Sequence, residues 1–204
     1  MTHGDDDSVA RHFGRSARVL QSAADDHALH ETIEKIAAAV EQALRGGHKF
    51  LLAGNGGSAA DAQHIAAEFV SRFKFNRDPL PAIALTTDTS ILTAIGNDYG
   101  YEQVFSRQLR GLGRRGDVFL ALSTSGRSPN ILAALRTARD MGIATVGLTG
   151  SHENPMRTLC DFCLDAPTDE TALIQQIHIV AAHAICGLVE ARLFKASAAP
   201  AAGR

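Results

Sequence analysis

Val118-Phe119-Leu120-Ala121-Leu122-Ser123-Thr124-Ser125-Gly126-Arg127-Ser128-Pro129-Asn130-Ile131-Leu132 reads as an apolar strand, a hydroxyl-rich turn and a helix start. Pro129 suits the first helical position and Ser128 the N-cap, so the N–H groups of that first turn point back into the loop. Four hydroxyls fall within six residues, on Ser123, Thr124, Ser125 and Ser128. A phosphate needs several donors converging on one point, and side-chain O–H groups, backbone N–H groups and a helix N-terminus all qualify. Ser and Thr also favour ordinary capped turns, so the remainder of the chain has to decide between the two readings.

Outward from this stretch the chain alternates. Strands are predicted at 49–53, 82–86, 117–122, 143–149 and 162–165. Helices are predicted at 58–73, around Ile91 leading into Gly96-Asn97-Asp98, at 101–112, at 129–141 with Gly142 as a stop, and at 168–194. Before the first strand, apolar residues recur at helical spacing through Val19, Leu20, Ile33, Ile36, Ala37, Val40 and Leu44, up to Gly46-Gly47, which predicts two helices. These are rich in Ala and poor in large side chains, so packing against a neighbouring subunit is expected of them. The fold class is α/β, with a five-stranded parallel sheet flanked by helices plus N-terminal helices. Ligands of such sheets bind beyond the carboxyl ends of the strands. A single domain is expected over 9–194, between disordered tails at 1–8 and 195–204.

The 204 residues are 45% apolar and 21% charged, enough for one sizeable core and short for two. A formal net charge of -2, without a block of Lys and Arg, argues against nucleic acid as a direct ligand. No apolar run approaches the ~20 residues of a membrane span. The start Met1-Thr2-His3-Gly4-Asp5-Asp6-Asp7 is acidic, unlike a signal peptide. No membrane partner and a cytoplasmic location are therefore expected. Three cysteines do not make a disulfide framework. Cys160-Asp161-Phe162-Cys163 matches C-x-x-C but has neither a second pair for zinc nor a redox motif's strand-then-helix setting, so it reads as small buried residues in a strand at 159–164.

Gly54-Asn55-Gly56-Gly57-Ser58 follows the first strand and opens a helix, where glycines let a ligand approach the backbone. It is neither G-x-G-x-x-G nor a P-loop, so a dinucleotide is not indicated; by itself it is equally a tight turn. On the helix that follows, His64 and Glu68 project from one face, one turn apart, and can share a metal or a substrate. Their neighbours Ile65, Ala66, Ala67 and Phe69 are apolar or small, so a charged Glu needs a partner. A surface His beside a solvated Glu has the same spacing. The last helix carries Gln175, His178 and His183 in an otherwise apolar run. His178 reads as a hydrogen-bonded core residue, and His183 departs from that reading only with outside support.

Taken together, the segments 53–64, Glu68, Gly96-Asn97-Asp98-Tyr99, Ser123-Thr124-Ser125-Gly126 with Ser128, and Ile174-Gln175 with His178 and His183 resemble the sugar isomerase (SIS) domain family, and within it the phosphoheptose isomerases. The resemblance covers about 50–190 and implies a three-layer SIS fold and a homotetramer with active sites lined by more than one subunit. It implies conversion of sedoheptulose 7-phosphate to D-glycero-D-manno-heptose 7-phosphate for bacterial lipopolysaccharide or capsule. In family terms Ser123, Thr124, Ser125 and Ser128 hold the phosphate, and Asn55, Gly56, Gly57, Ser58, Asn97 and Asp98 line the sugar site, which Glu68 and Gln175 share. Glu68 and His183 are the implied catalytic pair, and His64, Glu68, Gln175 and His183 the implied ligands of one Zn2+ per subunit. Moving a carbonyl between C2 and C1 needs a base at carbon, an acid serving the oxygens and stabilisation of an anionic enediolate, which fits a carboxylate, an imidazole and a cation.

Two points depart from that pattern. Gln175 and His183 are eight residues apart, roughly 12 Å along a regular helix at ~1.5 Å per residue, so a bend or different metal contacts are expected. Where the family often reads Arg-Ile-Gln-Glu, this chain has Leu173-Ile174-Gln175-Gln176. The rival readings are a non-catalytic SIS binding protein, such as a replication-initiator partner, and an isomerase for another sugar phosphate. The presence of both Glu68 and His183 favours the enzyme.

Overall fold

Five strands, Phe50–Gly54 (β1), Ala82–Ala84 (β2), Val118–Leu122 (β3), Ala144–Thr149 (β4) and Phe162–Asp165 (β5), pair in parallel in the order β2-β1-β3-β4-β5. They belong to a computed structural model that describes residues 8–194; the predicted tails fall outside the described residues except for Ser8, whose hydroxyl accepts from Arg11 N at the first helix. The helices are Val9–Ala24 (α1), His27–Arg45 (α2), Gly57–Val70 (α3), Thr89–Tyr99 (α4), Val104–Leu112 (α5), Pro129–Asp140 (α6) and Thr171–Phe194 (α7).

Three layers follow from the alternation of side chains along each strand. Phe50 and Leu52 of β1, with Val118, Leu120 and Leu122 of β3, face α2, α3 and α7. Leu51 and Ala53, with Phe119 and Ala121, face α5 and α6. Because the central strands are buried on both faces, they read as unbroken apolar runs. α1 packs on α7 and buries none of its residues.

Strand order reverses direction at β1, which pairs with β2 on one side and β3 on the other. The crevice of such a sheet opens there, past the carboxyl ends of the two central strands. Gly54 is in register with Leu122, so the loops beginning at Asn55 and Ser123 emerge side by side.

Element boundaries differ from the sequence reading where a tertiary partner decides them. Gly96, Asn97 and Asp98 lie inside α4, which ends at Gly100 with φ 86; one interior glycine costs about 1 kcal/mol and does not stop a helix. α3 ends at Val70, short of the predicted 73, where the chain turns at Ser71. Cys160 lies ahead of β5, following a 3-10 turn at Arg157–Leu159, so the C-x-x-C motif straddles the strand's start and is half-buried, not enclosed in a strand. α7 is, contrary to the sequence reading, long and apolar enough by composition to cross a membrane. Ten of its residues are buried, and it packs on α2, α3 and α1.

Candidate active site

The loop after β3 closes on itself through hydroxyls. Ser123 Oγ and Ser128 Oγ are 3.0 Å apart, Gly126 N donates to Ser123 O at 3.0 Å, and Ser125 Oγ accepts from Arg127 N at 3.2 Å. Gly126 adopts φ 62, and a Cβ there would collide with Asn154, so only glycine completes this turn. Ser128 holds the N-cap position with Pro129 next to it, as expected, but its hydroxyl faces Ser123 and makes no capping bond. Thr124 is half-buried, and its carbonyl accepts from Gly150 N, which ties the loop to the end of β4. The loop after β1 is tied to α6 by a reciprocal amide pair: Asn55 Nδ2 donates to Asn130 Oδ1 at 2.9 Å and Asn130 Nδ2 to Asn55 Oδ1 at 2.8 Å.

α3 starts from that Asn55 loop and carries His64 and Glu68 toward α7. His64 Nε2 stands 2.9 Å from His183 Nε2 and 3.4 Å from Glu68 Oε1. All three donor atoms lie within 4.8 Å of one another. Two imidazole nitrogens and a carboxylate are a zinc-type donor set, and with bonds of about 2.0–2.2 Å an ion can reach all three. Phe73 stacks on His183, ring centroids 5.6 Å apart at 27°. Gln175 occupies a different level of α7: a Cβ on Gly57 would stand 2.6 Å from its Nε2 and 3.0 Å from its Oε1. Glycine at 57 thus makes room for this amide. α7 is one continuous helix from Thr171 to Phe194 that carries both Gln175 and His183.

The SIS domain family matches residues 12–150 of the chain. A phosphoheptose isomerase of Bradyrhizobium sp. (strain ORS 278) is 58% identical over 195 residues, covering 96% of this chain and 98% of the relative. Among solved structures, a phosphoheptose isomerase from Neisseria gonorrhoeae superposes with a TM-score of 0.84 at 44% identity, over 90% of this chain and 97% of the other. The chain belongs to the SIS domain family, among the phosphoheptose isomerases. A phosphoheptose isomerase from Francisella tularensis gives a TM-score of 0.86 at 36% identity, over 93% of this chain and 98% of the other.

Not every expected residue joins the cluster. Ser58 is buried in the first turn of α3 and Gly56 is exposed ahead of it. Asn97 and Asp98 are exposed on α4, where Asn97 Nδ2 donates to Asp98 Oδ1 at 2.8 Å. Their link to the Asn55 loop is Tyr101, just past α4, whose hydroxyl donates to Asn55 Oδ1 at 3.3 Å. His178 is a buried core histidine, as read from sequence; its Nε2 donates to Thr149 O at 3.2 Å and burial lowers its pKa to about 4.

Phe73, Asn130 and Asp61 escaped the sequence reading. Asp61 lies one turn before His64; burial pushes its carboxyl above the usual range, with the positive charge of His64 pulling the other way, and Oδ2 has no hydrogen-bond partner among the described residues. A carboxylate three residues before a candidate ligand on one helix was the available signal. Asn130 and Phe73 act through residues far away in sequence, which local spacing does not reveal.

Proposed function

We propose that the protein interconverts sedoheptulose 7-phosphate and D-glycero-D-manno-heptose 7-phosphate through an enediolate, supplying heptose for bacterial lipopolysaccharide or capsule. The observation that carries this reading is the meeting of His64 and Glu68, on a helix that begins at the Asn55 loop beside the hydroxyl loop, with His183 of α7. The isomerase name shared by the close relatives favours it over a non-catalytic SIS binding module.

In the ketose-to-aldose direction Glu68 takes a proton from C1 while His183 delivers one to the oxygen on C2. Return of a proton from Glu68 to C2, with the oxygen on C1 giving up its own to His183, leaves the carbonyl at C1. Ser123, Thr124, Ser125 and Ser128, with the N-terminus of α6, hold the phosphate end, where no bond changes; their binding energy serves orientation at C1 and C2. Asn55, Gly56, Gly57, Ser58, Asn97 and Asp98 line the sugar. His64, Glu68 and His183 suit one zinc ion per subunit, with Gln175, whose amide lies beside Gly57, as the further expected ligand. When bound, zinc supplies Lewis-acid stabilisation of anionic oxygen. The same reading makes the protein a cytoplasmic homotetramer with sites lined by more than one subunit, supported by an α1 that has no fully buried residue within its own subunit.

Incubation of purified, zinc-supplemented protein with sedoheptulose 7-phosphate tests the reaction; heptose 7-phosphate is the expected product, and its absence with and without zinc refutes it. Glu68→Gln is expected to lower turnover by about 10²–10⁴-fold while calorimetry still detects substrate binding. Wild-type turnover in that variant would remove Glu68 as the base.

A further inference from the structure

A second polar node is buried two turns beyond His183 on α7. The side chains of Glu190 and Arg77 are 1% and 3% exposed, with Arg77 Nε 3.0 Å from Glu190 Oε1. The Glu190 carboxylate also accepts from two successive backbone N–H groups, Phe73 N at 2.9 Å on Oε1 and Lys74 N at 2.7 Å on Oε2. Arg77 directs its remaining donors to the end of α3: Nη2 donates to Glu68 O at 2.7 Å and Nη1 to Phe69 O at 2.7 Å. Further Nη1 bonds reach Ser71 O at 3.3 Å and Asp78 O at 3.0 Å. The irregular segment between α3 and β2 is thereby fixed at both Phe73 and Arg77.

What this node holds is the surroundings of the acid–base pair. Phe73, tied by its N–H to Glu190, lays its ring on His183. On α7 that ring has space because residue 187 is glycine; a Cβ there would approach Phe73 Cε1 to 3.3 Å. Glu68, whose carbonyl Arg77 caps, sits in the last turn of α3. Stability alone is a poor reason for such a pair, since well-packed apolar replacements of buried ion pairs are often as stable or more so. Apolar side chains, however, cannot accept two N–H groups and cap two carbonyls in fixed directions.

We propose that the Arg77–Glu190 ion pair is a positioning device for the reaction, holding Phe73 against His183 and the last turn of α3 beneath Glu68 so that the two proton-transfer groups stay in register. It rests on the assignment of Glu68 and His183 to those transfers. A displacement of about 1 Å in such a group costs up to 10²-fold in rate.

The test uses zinc-loaded, full-length protein with ¹³C-labelled histidine and the variants Glu190→Gln, Phe73→Leu and their double mutant. Glu190→Gln keeps the shape but presents an amide donor to an N–H group. It is expected to lower kcat by at least about tenfold with KM for sedoheptulose 7-phosphate within about threefold. It should also move the His183 ring signal, shifted by the current of the stacked Phe73, toward its position in Phe73→Leu. The double mutant should be no slower than Glu190→Gln by more than about twofold, because both act through one contact. A folded Glu190→Gln variant with wild-type kcat, an unmoved His183 signal or losses that multiply would overturn the proposal. Should Glu190→Gln not fold, Arg77→Lys, which keeps the charge and loses the fork, is held to the same criteria. Glu68→Gln separates the two claims: normal turnover there sinks the acid–base assignment, while the His183 signal still reports on positioning.

Discussion

At Gly57 the nearest atoms to an added Cβ are the amide end of Gln175, a flexible group that can swing aside. Gly57→Ala is therefore expected to change unfolding free energy by less than about 1 kcal/mol, since Ala also suits the first turn of a helix better than Gly. Its KM for the sugar phosphate should rise by roughly 3–10-fold, the worth of one displaced hydrogen bond, as steady-state kinetics would show. Ser123→Ala removes a hydroxyl facing Ser128 in the loop proposed to hold the phosphate. A hydrogen bond to a charged group is worth about 1.5–3 kcal/mol, so KM should rise by roughly 10–100-fold, with kcat changed far less. A kcat loss at unchanged KM would place Ser123 at the chemistry instead. The residues legible in the sequence are those whose partners are local: His64 and Glu68 declared themselves by four-residue spacing. His183 stood out only through family resemblance, because its partner His64 lies 119 residues away. Glu190 met Phe73 and Arg77 across 117 and 113 residues, and no spacing rule reaches that far.

Among the elements, α7 joins fold and site: one face enters the core while Gln175, His183 and Glu190 serve α3 and its exit loop. His178, buried in that core face, gives the helix a pH dependence. Its folded pKa is about 4 against an ordinary value of 6.5, because burial disfavours the charged ring. Below 6.5 the unfolded chain takes up a proton that the folded chain refuses, so stability falls as pH drops from about 6.5 toward 4. Between pH 8 and pH 5 this amounts to about 2 kcal/mol. Replacing the titrating ring by His178→Gln isolates the effect: the stability gap between wild type and variant in urea should narrow by that amount over this range. Parallel pH curves would exclude His178 as the source. The strands and most helices were readable because the sheet is covered on both sides, which makes its strands plain apolar runs. Errors gathered at ends fixed by tertiary contacts, such as the exit of α3, where Arg77 caps the carbonyls, and at α4, which carries Gly96 in its interior.

For the whole molecule, the N-terminal helix poses the remaining question. α1 is a 16-residue helix with no buried residue, and Val9 and Phe13, one turn apart, are 75% and 69% exposed. Farther along, Leu20 and Ala23 border an apolar groove of about 200 Å³ whose other walls include Leu29, Ile33, Ile177 and Val180. A helix of this length is marginal in water by its own propensity, and most helical stability comes from burying an apolar face. The sequence already showed the shortage of large side chains in the two N-terminal helices, and in the structure α2 buries six residues while α1 buries none. A second copy of the chain covering α1 would resolve the imbalance, as the proposed homotetramer requires. Phe13→Asp puts a charge where that apolar cover would sit, and an unpaired charge in a packed contact is strongly unfavourable. Light scattering coupled to size exclusion should then show a mass below that of the wild-type assembly, and turnover should fall with it if sites are lined by more than one subunit. An intact tetramer with unchanged activity would mean that α1 stands outside the assembly.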